Sequence, residues 1–154
     1  MDRFVTLFFG LLDTGVHTLT YASAGHNPPT LIRQGKKPVL LEARGIILGC
    51  FEKAVYAEES LPLAPGDTLI VYSDGITEAI DSSEAEFGLE KIKKIAATLA
   101  SQHARSINQS IIDTIRQHQD DAPQLDDMTI VSVRRTSEEP YVCCAGASGH
   151  GDQS

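Results

Sequence analysis

The period of the hydrophobic pattern changes twice along this chain, which limits the fold more than any other feature. Up to Tyr72 apolar residues come in short runs or alternate. From Phe87 they recur at helical spacing, and from Met128 the alternation returns. Strands, then two helices, then a closing strand make an α+β domain. At 154 residues with 42% apolar content, one core is the expected outcome.

The elements follow from this pattern. Phe4 to Leu12 is an almost continuous apolar run ending at Asp13-Thr14-Gly15, which predicts a buried strand entering a hairpin, with Val16 to Ser23 returning. Ala24-Gly25-His26-Asn27-Pro28-Pro29 must be loop, because two prolines cannot continue a ladder. Thr30 to Arg33 and Pro38 to Glu42 predict two short strands about the Gln34 to Lys37 turn. A glycine-rich segment follows at Gly45 to Gly49, then a further strand within Val55 to Leu63. After the Pro65-Gly66 turn, Asp67 to Tyr72 is β-branched and aromatic enough for a buried central strand. Ile92, Ile95 and Leu99 share a face of one helix; Ile107, Ile111 and Ile115 share a face of a second, over Ala104 to Gln119, with Ser106 as its expected N-cap. Both helices are expected to cover the sheet. Met128 to Arg135 closes the fold, giving a domain over 1–136, and 137–154 is expected to be a flexible tail.

The charge balance removes some functions. Thirteen Lys and Arg against 21 Asp and Glu give a net charge of -8, so nucleic acid and anionic membrane surfaces are repelled. An acidic chain that handles phosphate needs a bound cation, which makes metal worth seeking. Cys50, Cys143 and Cys144 are a poor disulfide framework and fit a reducing, cytoplasmic setting. Cys50 itself reads as a small buried apolar residue. No apolar run is long enough for a membrane span, and no signal-peptide order opens the chain.

Two segments carry candidate chemistry. In Tyr72-Ser73-Asp74-Gly75-Ile76-Thr77-Glu78 an apolar strand stops at a carboxylate followed by glycine, a rigid mount for a hard cation. The other reading of Asp74 is a cap for a helix over Gly75 to Ile80. Asp126-Asp127-Met128-Thr129 puts adjacent acids before the closing strand, where a cation would relieve their repulsion. A solvated loop of Asp120, Asp121, Asp126 and Asp127 is the alternative.

Together, Ala24-Gly25-His26-Asn27-Pro28, Tyr72 to Ala79 and Asp126-Asp127-Met128-Thr129 resemble, in order and spacing, the PPM family of metal-dependent protein serine/threonine phosphatases, in its stage II sporulation protein E branch. The Leu63 to Asp67 turn and Glu86-Phe87-Gly88 are similar too, so the resemblance runs from Phe4 to Arg135.

The resemblance implies a PPM-like α-β-β-α sandwich, incomplete here because its N-terminal strands are absent. It implies Mn²⁺ or Mg²⁺, two ions in the complete domain, and hydrolysis of phosphoserine or phosphothreonine by a metal-activated water. By the match Asp74 and Asp126 are catalytic through that water, and the metal contacts are Asp74, Gly75, Asp126 and Asp127. His26 and Asn27 line the site. His26 stands where relatives often have an acid, which implies an altered or absent additional metal site; a backbone-bonded loop histidine is the alternative.

A further acidic motif of the family lies upstream of the segment resembling Phe4 to Leu12, and Met1-Asp2-Arg3 does not match it. The polypeptide alone is therefore expected to be weak or inactive, with exposed sheet edges that favour a homodimer. The expected partner is a phosphorylated anti-sigma-factor antagonist. A catalytically inactive binding module for such a regulator is the alternative function.

Overall fold

A computed structural model describes residues 4–136, so the expected tail at 137–154 and the Met1-Asp2-Arg3 start lie outside the described residues. The strands are β1 (Leu7–Asp13), β2 (Thr18–Ala24), β3 (Thr30–Ile32), β4 (Val39–Leu40), β5 (Glu59–Pro62), β6 (Thr68–Tyr72) and β7 (Ile130–Arg134). The helices are α1 (Asp74–Thr77), α2 (Leu89–Thr98) and α3 (Ala104–Gln119). They form two sheets, in the orders β1-β2-β5 and β4-β3-β6-β7, and every named pairing is antiparallel.

The alternation in β6 explains the layering. Leu69 joins Leu19, Tyr21, Leu31, Leu41 and Leu63 in a cluster contributed by both sheets, so this core lies between them. Ile70 and Tyr72 point the other way, into a second core with Ile92 of α2 and Ile107, Ile111 and Ile115 of α3. A strand with period-2 side chains and apolar residues at every position must be covered on both faces, and β6 is. The order of layers among the described residues is sheet, sheet, helices.

Several expectations need correction. The apolar run at Phe4 to Leu12 is not buried: Phe9 and Leu11 are 59% and 62% exposed. Only Phe8 of β1 packs against the inter-sheet core, stacking on Tyr21 at 5.8 Å. The reason is position, because β1 is the edge strand of its sheet and no described layer covers its outer face. Cys50 is exposed, since it falls in an irregular segment rather than on a strand. The strand expected within Val55 to Leu63 is confined to Glu59–Pro62. Val16 and His17 belong to the hairpin turn, His17 with φ +55°, so the return strand begins at Thr18. Ser106 does not cap α3: the helix begins two residues earlier, with His103 at the N-cap and no side-chain capping bond.

One glycine in the 45–49 segment is required by contact. A Cβ on Gly45 would lie 1.8 Å from the Ser23 carbonyl oxygen, so only a bare Cα lets this segment lie along the end of β2.

Candidate metal centre

The site begins where β6 ends. Tyr72 pairs with Ile130, so the residues after β6 and those before β7 emerge side by side from one end of the four-stranded sheet. Ser73 fastens them together. Its N–H donates to the Thr129 carbonyl at 3.0 Å, its hydroxyl donates to the Asp127 carbonyl at 3.0 Å, and the Thr129 N–H donates to its Oγ at 2.9 Å. Three bonds on one residue hold the Asp74 segment against the Asp127 segment. Sequence reasoning named Ser73 only as part of a motif; a serine between a strand and an Asp-Gly pair carries no signal of a partner 54 positions away.

Gly75 brings the two backbones closer still. A Cβ there would lie 2.6 Å from the Asp127 carbonyl oxygen and 3.3 Å from the Asp126 carbonyl carbon. Any larger residue must push the segments apart. The structure therefore brings Asp74-Gly75 and Asp126-Asp127 together across 52 positions of chain.

The carboxylates themselves are exposed. Asp74 Oδ1 accepts the Gly75 N–H at 3.0 Å, and Asp126 Oδ1 accepts the Asp127 N–H at 2.7 Å. Gln124 holds the Asp126 carbonyl through its Nε2 at 2.8 Å. Asp74 is the first residue of a helix spanning Asp74–Thr77, and Ser73 occupies the N-cap without a capping side-chain bond. The Gly75 N–H that Asp74 accepts belongs to the first turn of α1, as the capping reading expects, and the bond engages one carboxylate oxygen, Oδ1.

His26 and Asn27 lie in the loop between β2 and β3. Their loop is tied to β6 by the Tyr72 hydroxyl, which donates to the Pro28 carbonyl at 2.9 Å. No hydrogen bond or ion pair among the described residues joins His26 or Asn27 to Asp74, Asp126 or Asp127.

The donor chemistry suits a hard cation, for which carboxylate and carbonyl oxygens are the ordinary ligands. Among the described residues no three His, Cys, Asp or Glu side chains gather closely enough to hold a metal ion. What the described residues offer a cation here is two carboxylate-bearing segments held side by side by Ser73 and Gly75. Beside them lies a cavity of about 190 Å³ lined in part by Gly75, Glu78, Glu86 and Asp126. Glu78 and Glu86 add negative charge that sequence reasoning did not assign to the site.

The cavity wall continues into the Ile80 to Glu86 turn, closed by an isolated bridge between those two residues. Asp81 organises this turn. The Ser83 hydroxyl, then the Ala85 and Ser83 N–H groups, with a smaller pull from His118, hold its carboxyl down to about 2 from 3.8. A depressed acid contributes stability that is present above its unfolded value and lost as pH falls through its folded one. The turn is thus expected to loosen between about pH 4 and pH 2. Titration of the Asp81 carboxyl carbon by NMR checks this; a midpoint near the usual aspartate value would remove the turn from the acid response.

Comparison with known proteins places this arrangement in a family. The family model described as Stage II sporulation protein E (SpoIIE) matches residues 1–136. The chain is 32% identical to Protein IcfG of Synechocystis over 139 residues, 88% of this chain and 21% of that protein. It is 32% identical to Phosphoserine phosphatase RsbU of Bacillus subtilis over 137 residues, 87% of this chain and 40% of that one. The chain thus spans well under half the length of either relative. Among solved structures, the SiaA-PP2C domain of Pseudomonas aeruginosa superposes with a TM-score of 0.76 at 22% identity, over 86% of this chain and 52% of that one. The α+β layering is accordingly that of a PP2C phosphatase domain, and the described residues supply the β-β-α layers of its sandwich. With its strand-end Asp74-Gly75 packed on Asp126-Asp127 and its match over 1–136, the chain belongs to the SpoIIE family.

Proposed function

We propose that this chain is part of a metal-dependent protein serine/threonine phosphatase domain, and that Asp74 and Asp126 hold a divalent cation, Mn²⁺ or Mg²⁺, with Asp127 and Gly75 as adjacent contacts. The observation that carries the reading is the close packing of Gly75 on the Asp126–Asp127 peptide, which supports a shared cation pocket. When bound, the cation supplies a Lewis acid that activates water and offsets phosphoryl charge. The chain's own part is positional. Ser73 locks the two acid-bearing segments in register, Gly75 permits their approach, and Glu78 and Glu86 keep the surroundings negative so that a cation is retained. The same negative field repels a phosphate dianion in the absence of metal.

The relative RsbU is named a phosphoserine phosphatase, which supports phosphoserine as substrate chemistry here. The partner we propose is a phosphorylated anti-sigma-factor antagonist in the cytoplasm. No described helix is long and apolar enough to cross a membrane. That no three ligating side chains gather among the described residues favours a second reading, a binding module that recognises the phosphorylated regulator without hydrolysing it.

Mn²⁺ titration followed by NMR tests the metal assignment without requiring turnover. Paramagnetic broadening is expected first at Asp74, Gly75, Asp126 and Asp127. Broadening centred elsewhere would sink the assignment. Hydrolysis of p-nitrophenyl phosphate, with and without Mn²⁺, then separates enzyme from binding module: metal-dependent turnover supports the first. Specific binding of a phosphorylated regulator without turnover supports the second.

The homodimer is also proposed, through the exposed face of β1. Leu7, Phe9 and Leu11 are 44%, 59% and 62% exposed on one side of an edge strand with no charge between Phe4 and Leu12. Sedimentation is expected to be concentration-dependent, and Phe9→Lys is expected to return the chain to monomer. A monomer at all concentrations would leave this face without a role in assembly.

A further inference from the structure

The four-stranded sheet is electrically polarised along its strands. At the end where Tyr72 pairs with Ile130, the chain continues into Asp74, Asp126 and Asp127. At the other end, Thr68 pairs with Ile32 and with Arg134, so the residues after β3, before β6 and after β7 meet. Arg33, Lys36, Lys37, Arg134 and Arg135 are all there, five of the chain's 13 basic residues in a molecule of net charge -8. Given the strand rise, the two ends are about 20 Å apart.

The side chains divide between the two faces. Arg134 turns toward the helices, donating to Thr68 Oγ1 and the Ala100 carbonyl. Arg33, Lys36 and Arg135 instead line an open cleft of about 560 Å³, whose apolar wall includes Pro62, Leu63 and Pro65. That volume is in the range of small-molecule sites. One carboxylate lies in the cleft, Asp67, and it is already engaged: its Oδ2 accepts Arg33 Nε at 3.1 Å and the Ala64 N–H at 2.9 Å. Three basic residues and one acid give the lining of the cleft a formal charge of +2.

The guanidinium groups are held in place by the backbone. Arg33 Nη2 donates to the Pro62 carbonyl at 2.9 Å, and Arg135 Nη1 donates to the Leu63 carbonyl. Arg33 has five N–H donors and two recorded hydrogen bonds, so it keeps donor capacity toward the cleft. Anchoring lowers the entropy lost on engaging a ligand, and the planar fork suits carboxylate and phosphate oxygens. Lys36, on the exposed turn after β3, adds a movable charge at the rim.

We propose that this cleft binds a small organic oxyanion, a carboxylate or phosphate group carried on an apolar body that rests on Pro62 to Pro65. The site lies at the opposite end of the sheet from the acidic centre and is independent of the phosphatase reading. Ligand binding here would act on the Leu63 to Asp67 turn, the entry to β6, which ends two residues before Asp74.

The test is an amide NMR titration of the whole chain with orthophosphate and, separately, malonate, against sodium chloride at matched ionic strength. Saturable shifts confined to Arg33, Gln34, Leu63, Ala64 and Arg135 are expected. Lys36→Glu is expected to weaken binding by about tenfold, the loss of one charge-assisted contact, and Lys36→Arg to restore it. Lys36 is exposed, so neither change threatens the fold. A response to phosphate alone narrows the ligand to phosphate esters, and a response to both retains oxyanions as a class. Shifts that are absent, unsaturable, scattered over the surface or unchanged in Lys36→Glu overturn the proposal.

Discussion

Asp74→Asn is expected to weaken Mn²⁺ binding by at least about tenfold and to cut any Mn²⁺-dependent phosphomonoester turnover by about a hundredfold. The substitution isolates charge from shape. Asparagine keeps the volume and the Oδ1 acceptor that receives the Gly75 N–H at 3.0 Å, so the start of α1 has no reason to move. What disappears is the negative charge of one of the two carboxylates proposed to hold the cation. Isothermal titration with Mn²⁺ reads the first effect and p-nitrophenyl phosphate turnover the second. Unchanged affinity in the mutant would remove Asp74 from the metal centre, whatever the activity.

The second large effect concerns the mount that carries the site. Ile111→Ala should destabilise the domain by about 2–5 kcal/mol, a large share of the total stability of an ordinary domain. Ile111 is fully buried between α3 and the sheet, in the cluster that contains Ile70 and Tyr72 of β6. Truncation leaves a cavity under the strand that presents Ser73 and Asp74. Urea denaturation measures the loss, and Leu125→Ala, at a residue 68% exposed, is the control expected to change stability little. A near-neutral Ile111→Ala would mean that the helices do not pack on this sheet.

Much of the architecture was legible because local chemistry and tertiary packing agree. Thr68 to Tyr72 is β-branched and aromatic, and it is buried on both faces. Ile107, Ile111 and Ile115 repeat at helical spacing, and all three are buried. The misreadings came from positions where environment, not residue type, decides. Phe4 to Leu12 is apolar enough for any core, yet whether a strand is covered depends on what lies beside it, and β1 is an edge. Cys50 is of a type usually buried, but it falls on an irregular segment at the surface.

The site divides along the same line. The sequence by itself determined the elements, the family resemblance and the two acidic segments, because turn residues, period and motif order are local properties. Only the tertiary structure decided that Ser73 bonds the Asp127 carbonyl, that Gly75 packs on the Asp126–Asp127 peptide, and that five basic residues collect at the far end of the same sheet. Antiparallel register is the physical reason. It joins residues separated by more than 50 positions, and spacing along one strand carries no record of what the neighbouring strand presents.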